Sequence, residues 1–422
     1  MKTLALALFV ITYLLLLILP KIRAYIALAS GLIFVLLGIL PVGDVFTTID
    51  WNVILMIAGT MGVVTLFIES KMPSLMADYI IDRTPDVKWA IISLSLFAGI
   101  ISAFVDNVAT VLMVAPVALT IAKKLKISPV PSVIAISIAS NLQGAATLVG
   151  DTTSILLGGY ANLNFLDFFF FQGKIGIFWV VEVGALASTL ILLYIFRKEK
   201  QTIHAMEQTT VDDYFPTILL VGIVVLLIIA SFIPEKPAIT NGLICIIMML
   251  IGIIRSIAKT GNRNTVTTVL KEIDYTTILL LAGLFVVIGG IKEVGIIEDI
   301  SKLFVRAGND NVFVIFTLIV WASVLISAFI DNIPYVATML PVVGQIAIAL
   351  NIDPYLLYFG LLIGATLGGN ITPIGASANI TGIGILRKDG YEVSAKDFMK
   401  ISVPFTLAAV ITGYILVWFI WK

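Results

Sequence analysis

The sequence predicts an all-α polytopic membrane protein of two inverted repeats, each five transmembrane helices plus one re-entrant hairpin, with broken helices at its centre. Three observations lead there. Hydrophobic residues fill 60% and charged residues 12% of the 422 positions, and mean hydropathy is +1.11, a composition unlike that of a water-soluble domain. Apolar runs of about twenty residues, the length that crosses a ~30 Å hydrocarbon layer as a helix, recur along the whole chain. The phrases Ser102-Ala103-Phe104-Val105-Asp106-Asn107 and Ser327-Ala328-Phe329-Ile330-Asp331-Asn332 nearly repeat one another at an offset of 225 residues.

Composition also excludes several classes. The 26 basic residues balance 26 acidic ones, and no basic cluster is interleaved with aromatics, so nucleic acid is not an expected partner. The lone Cys245 rules out an internal disulfide or a multi-cysteine metal site, and the lone His204 falls in a polar linker. There is no Gly-x-x-x-x-Gly-Lys-Ser/Thr phosphate loop, so this chain does not use ATP directly, although a separate ATPase subunit stays open as a partner. The expectation is a non-enzyme in a lipid bilayer, without cofactor beyond Na+ or H+ as a coupling ion.

Met1-Lys2 and the apolar run Leu4 to Leu19 resemble a signal peptide, but no small-residue cleavage site follows, so the run reads as a retained first span. Spans are expected near 3–19, 24–40, 50–68, 132–160, 174–196, 215–233, 239–258, 274–292, 354–386 and 400–421. Residues 87–122 and 311–350 are apolar but interrupted midway by Asp-Asn, which favours two short helices joined at a polar tip and returning to the side they entered. Repeat one then covers 1–196, a charged cytoplasmic linker 197–214, and repeat two 215–422. With the Lys21–Arg23 loop inside, nineteen of the 26 Lys and Arg residues fall on the cytoplasmic side. Ten spans put both termini outside a multi-pass cell-membrane protein.

The repeat extends past the Asp-Asn phrases. Offset 225 aligns Pro116 with Pro341, Gly144 with Gly369, Thr147 with Thr372 and Gly150 with Gly375, while offset 224 aligns Asp50 with Asp274, Gly59 with Gly283 and Glu69 with Glu293. Five crossings per copy, an odd number, turn the second copy upside down.

Chemistry is expected where carboxylates sit in oil and where backbone is freed from helical pairing. A carboxylate in apolar surroundings is costly and marks an ion or substrate path, which singles out Asp106 and Asp331 with Asn107 and Asn332. Asp at such a tip also caps the following helix, and the two roles coexist. In the span 132–160, Gly144 to Ser154 place glycines, hydroxyls and an acid at mid-length; Gly368 to Asn379 repeat the pattern in 354–386, but there Ala376 replaces Asp151. Pro373 and the glycines weaken the helix, exposing carbonyls that can coordinate a cation and amides that can hold an anion. The candidate binding residues are therefore Thr147, Gly150, Asp151 and Thr152 in one break and Asn370, Thr372, Gly375, Ser377 and Asn379 in the other. Asp106, Asp331 and Asp151 are the candidate Na+ ligands. The same threonines and glycines also suit close helix packing. Each broken helix is expected to meet the hairpin tip of its own repeat, and Glu182, deep in 174–196, either pairs with a neighbouring helix or joins the site.

The phrases Phe104-Val105-Asp106-Asn107, Gly144 to Asp151, Asp331-Asn332-Ile333-Pro334 and Gly369 to Asn379 resemble the ion transporter superfamily, in its arsenite permease, NhaD-type sodium/proton antiporter and melanosomal P-protein branch. The resemblance spans nearly the whole chain. It implies a homodimer with a scaffold and a mobile transport domain that carries its site in an elevator-like shift. The di- and tricarboxylate branch carries Ser-Asn-Thr at its hairpin tips; Asp-Asn stands here, which argues against a carboxylate substrate. Two cargoes remain open: an arsenite-type oxyacid moved against protons, or Na+ exchanged for protons.

Overall fold

The structure, a computed structural model, describes residues 1–202, 208–211, 213–260 and 264–422, so His204 and Arg263 lie outside the described residues. Among the described residues seven helices are long and apolar enough to cross a membrane, Asn107–Leu125 and Asn332–Leu350 of the expected hairpins among them, and the number reaches nine, against the ten expected, if each of two strongly bent pairs is one span. One bent pair is the expected first two spans, Lys2–Ile18 and Pro20–Leu36, which turn by 110° at the break; the other, Ile296–Ala307 with Val312–Ser327, turns by 115°. One small departure from an all-α chain is a ribbon pairing Phe170–Phe171 with Lys174–Ile175.

The two hairpins are built alike, for local reasons. Asp86 accepts from Trp89 N to start Val87–Ser102, and Asn311 accepts from Phe313 N and Val314 N to start Val312–Ser327. The second arms, Asn107–Leu125 and Asn332–Leu350, begin at Asp106 and Asp331, contain Pro116 and Pro341, and end on left-handed Lys126 and Asn351. The expected broken helices appear as Val130–Gly144 followed by Thr152–Ala161, and as Tyr355–Leu362 continued by a π-turn and followed, after 368–376, by Ser377–Lys388.

Helices group into two layers. In the first, Trp51–Glu69 packs on Thr240–Thr260 and Arg23–Leu36 on Tyr275–Glu293. Both crossings need glycine: a Cβ on Gly59 would lie 2.4 Å from the Cys245 backbone, and one on Gly283 would lie 2.4 Å from that of Ala27. The second layer holds the hairpins, the broken helices, and Ile177–Ile195 packed on Ala395–Trp421. Here each hairpin's first arm packs on the first half of its own repeat's broken helix. Each second arm packs on that helix too and also crosses over, Asn107–Leu125 to Ser377–Lys388 and Asn332–Leu350 to Thr152–Ala161.

Polar contacts sort the loops onto two faces. Val87 N donates to Gln201 O, Thr209 N to Asp78, Arg255 pairs with Asp213 and Lys123 with Asp389, gathering both ends of the first hairpin with the linker. The Arg255 guanidinium holds the Asp213 carboxyl below its usual range. Away from the linker, Lys2 pairs with Asp299 near the amino terminus, and Lys174 lies over the Trp421 ring and Tyr355 packs on Trp421 near the carboxyl terminus.

Candidate functional site

Each hairpin tip is bolted to the break in its own repeat's helix. Thr147 Oγ1 donates to Ala103 O, and Thr372 Oγ1 donates to Ala328 O. A Cβ on Gly150 would sit 2.6 Å from Gly144 O and Ser102 O, and one on Gly375 would sit 2.6 Å from Gly369 O and 2.8 Å from Ser327 O. No other residue could bring the strand of each break this close to the tip.

The breaks also touch across the repeats. Asn141 Nδ2 donates to Thr366 O at 2.7 Å, Thr153 and Thr366 hydroxyls meet at 2.9 Å, and Asn370 Nδ2 donates to Ile138 O at 2.9 Å. Asn107 Nδ2 reaches Asn141 Oδ1 at 3.0 Å, and Asn379 Nδ2 donates to Gly369 O at 3.1 Å and Thr372 O at 3.2 Å. Buried polar groups need such partners, and here they rigidify the junction.

A cavity of about 210 Å³ opens beside this junction. Of the sequence-derived candidates, Asp106, Asn107, Asp151, Thr152, Asn332 and Ser377 line it. Asp106 Oδ2 caps the second arm by accepting from Val108 N at 3.0 Å and Ala109 N at 3.1 Å. Asp151, 4% exposed, accepts from Thr153 Oγ1 at 2.7 Å. Glu272 and Asp274 complete the wall with two more carboxylates, and among the described residues no Lys or Arg lines it.

The other candidates do different work. Thr147, Gly150, Thr372, Gly375, Asn370 and Asn379 lie behind the wall in the junction. Asp331 does not join Asp106 and Asp151 on the cavity wall: it accepts from Ile333 N and from the Arg23 guanidinium, with which it forms an ion pair. Among the described residues no three His, Cys, Asp or Glu side chains gather as a metal site, so a bound Na+ would rest on Asp106 and Asp151 supplemented by hydroxyl and carbonyl oxygens.

Arg23 was expected in a water-facing loop, and its pairing escaped the sequence because a lone arginine after Pro20 and Lys21 reads as loop charge. Asp274 carried a signal, as the twin of Asp50, but marked only the repeat. In the structure it caps Tyr275–Glu293 by accepting from Thr277 N at 3.0 Å and faces the cavity.

A second cavity, of about 810 Å³, lies toward the other face and is lined by Thr48, Asp50, Phe285, Ile288, Gly289, Lys292 and Pro341, among others. Those first six correspond at offset 224 to Glu272, Asp274, Met61, Val64, Thr65 and Ile68 of the first cavity. Neither hairpin tip reaches it.

A model of the family described as CitMHS, citrate transporter, matches residues 13–364. The chain belongs to this family. It is a multi-pass membrane transporter of the secondary type, not an enzyme. Among its relatives, a 46 kDa membrane protein of Mycobacterium leprae (strain TN) is 30% identical over 99% of this chain and 98% of that protein. An uncharacterized transporter of Mycobacterium tuberculosis (strain ATCC 25618 / H37Rv) is 29% identical with the same coverage. The human P protein is 26% identical across 87% of this chain, which spans 54% of that longer protein. The fold is similar to that of the YdaH transporter of Alcanivorax borkumensis, with TM-score 0.62 and 16% identity over 92% of this chain and 88% of that one.

Proposed function

We propose that this family member is a cation-coupled transporter of a small inorganic ion, with the coupling cation, H+ or Na+, held between Asp106 and Asp151. The observation that carries this reading is the cavity wall: four carboxylates, the hydroxyls of Thr65, Thr152, Thr277 and Ser377, and, among the described residues, no basic side chain. Such a wall attracts hard cations and repels free anions. Sodium/proton exchange is the reading it favours; a neutral oxyacid of the arsenite type, moved against protons, fits the hydroxyls as well.

The family match supports a second cargo. A bare tricarboxylate would meet four carboxylates and no balancing cation on the wall, so citrate would enter this cavity only with its charge neutralised by protons or a bound cation.

In this reading the linker face is cytoplasmic, because it gathers the Lys- and Arg-rich segments, and the site is open to the cytoplasm. The unequal cavities support an elevator-like shift of the hairpin layer past the scaffold layer, in a homodimer of the kind that the superfamily resemblance implies. Purified protein in proteoliposomes under an imposed proton gradient separates the cargoes: Na+, arsenite, citrate alone, and citrate with a divalent cation. Movement of Na+, arsenite or the citrate–cation pair with a change in internal pH is expected. Uptake of citrate alone, without movement of protons or Na+, would overturn the cation site.

A further inference from the structure

An acid of the membrane layer, Glu182, lines neither cavity. Glu182 is the sixth residue of Ile177–Ile195, about 8 Å along that helix from its start. It stands between Trp179 and Leu186, whose side chains are 41% and 63% exposed, so its carboxyl lies at the edge of a surface that faces lipid. Its partner is Gln143, whose Nε2 donates to Glu182 Oε2 at 2.8 Å. Gln143 stands at the end of Val130–Gly144, where the helix breaks to form the site.

Gln143 fits there because Gly99 faces it: a Cβ on Gly99 would fall 1.4 Å from Gln143 Oε1. The other repeat reverses the arrangement. At offset 225 the positions become Val324, Gly368 and Leu407, and a Cβ on Gly368 would lie 2.6 Å from Val324 Cα. Repeat two therefore packs small against large with no polar group, while repeat one opens a glycine notch for an amide that reaches an acid. Packing alone needs only the apolar version.

We propose that Glu182 is a separate proton-binding site, kept as a neutral carboxylic acid by its apolar surroundings, oriented by the Gln143 amide, and discharged during the transport cycle. An ionised carboxylate at a lipid edge is costly to desolvate and one amide N–H offsets little of that cost, whereas the neutral acid loses far less on leaving water. The titratable side chains on the helices packed against this one are Lys88, Lys396, Asp397, Lys400 and Tyr414. Lys88, Lys396, Asp397 and Lys400 lie at helix ends, and Tyr414 is engaged with the Thr317 hydroxyl. None neutralises Glu182.

The inference rests on the transport reading, but its first test does not. A hydrophobic carbodiimide attaches covalently to protonated carboxyls in apolar surroundings, and peptide mass mapping locates the adduct whatever the cargo. Labelling of Glu182 is expected in the wild type, falling as pH rises and absent from Glu182→Gln. In proteoliposomes Glu182→Gln, which keeps a hydrogen-bonding partner for Gln143, should lose proton-driven uptake while exchange without a gradient is unchanged. A wild type that is not labelled at acidic pH, or a Glu182→Gln variant that keeps proton-driven uptake, would overturn the proposal. Thermal unfolding of the same variant checks that it is folded.

Discussion

Met61, Val64, Thr65 and Ile68 line one cavity and their counterparts Phe285, Ile288, Gly289 and Lys292 line the other, so the scaffold offers each face an equivalent wall. What stands opposite differs. The first cavity meets both hairpin tips, at Asp106, Asn107, Asn332 and Ile333. The second meets Ala337, Leu340 and Pro341, further along the second hairpin's second arm. From Asp331 to that contact is six to ten residues, roughly 10 Å of helix. A repeat protein with equal halves would be open to both faces or neither; displacing one layer along the other makes access one-sided.

The largest effect should come from the acids that only the first cavity exposes. Asp106→Asn and Asp151→Asn each keep shape and polarity while removing the charge, and at Asp106 the amide oxygen can still cap Asn107–Leu125. Gradient-driven transport should be abolished in both, with thermal unfolding of the purified proteins close to wild type. Full transport by either would remove that acid from the coupling site.

Access itself can be read by thiol labelling in a Cys245→Ser background. A membrane-impermeant reagent added at the linker face should modify Ala109→Cys, and one added at the opposite face should modify Leu340→Cys but leave Ile333→Cys untouched. Equal labelling of Ile333→Cys from both faces would mean that the inequality is no barrier.

The hairpins and broken helices were legible in the sequence because Asp-Asn and Gly-rich phrases interrupt apolar runs, and polar groups in oil have few structural uses. The tip-to-break junction followed from the same offset. The crossing of each second arm to the other repeat's helix did not, since nothing local marks a contact more than 200 residues away, such as that of Asn141 with Thr366. Arg23 and Gln143 were missed for a related reason: each is unremarkable until its distant partner, Asp331 or Glu182, is known.

The two tips differ in charge as well as access, and the Arg23 pair tests that difference. Arg23 and Asp331 side chains are 19% and 15% exposed. Arg23→Gln leaves the Asp331 carboxylate without its cation, and should cost about 3 kcal/mol of stability in detergent, as for other buried pairs. Adding Asp331→Asn should restore most of it. A single-variant cost below ~1 kcal/mol would instead class the pair with solvent-screened surface bridges.

The smallest effect is where the halves agree. Thr147 and Thr372 spend their hydroxyls on Ala103 O and Ala328 O, and neither lines a cavity. Thr→Val keeps the volume and removes one buried hydrogen bond, worth ~1 kcal/mol at each position, so the unfolding midpoint should fall by a similar amount in both variants. Because these hydroxyls are spent on the junction and line neither cavity, KM should stay unchanged. A raised KM with unaltered stability would place these hydroxyls on the ion after all, and a rise in only one variant would extend the inequality of the two cavities into the junction itself.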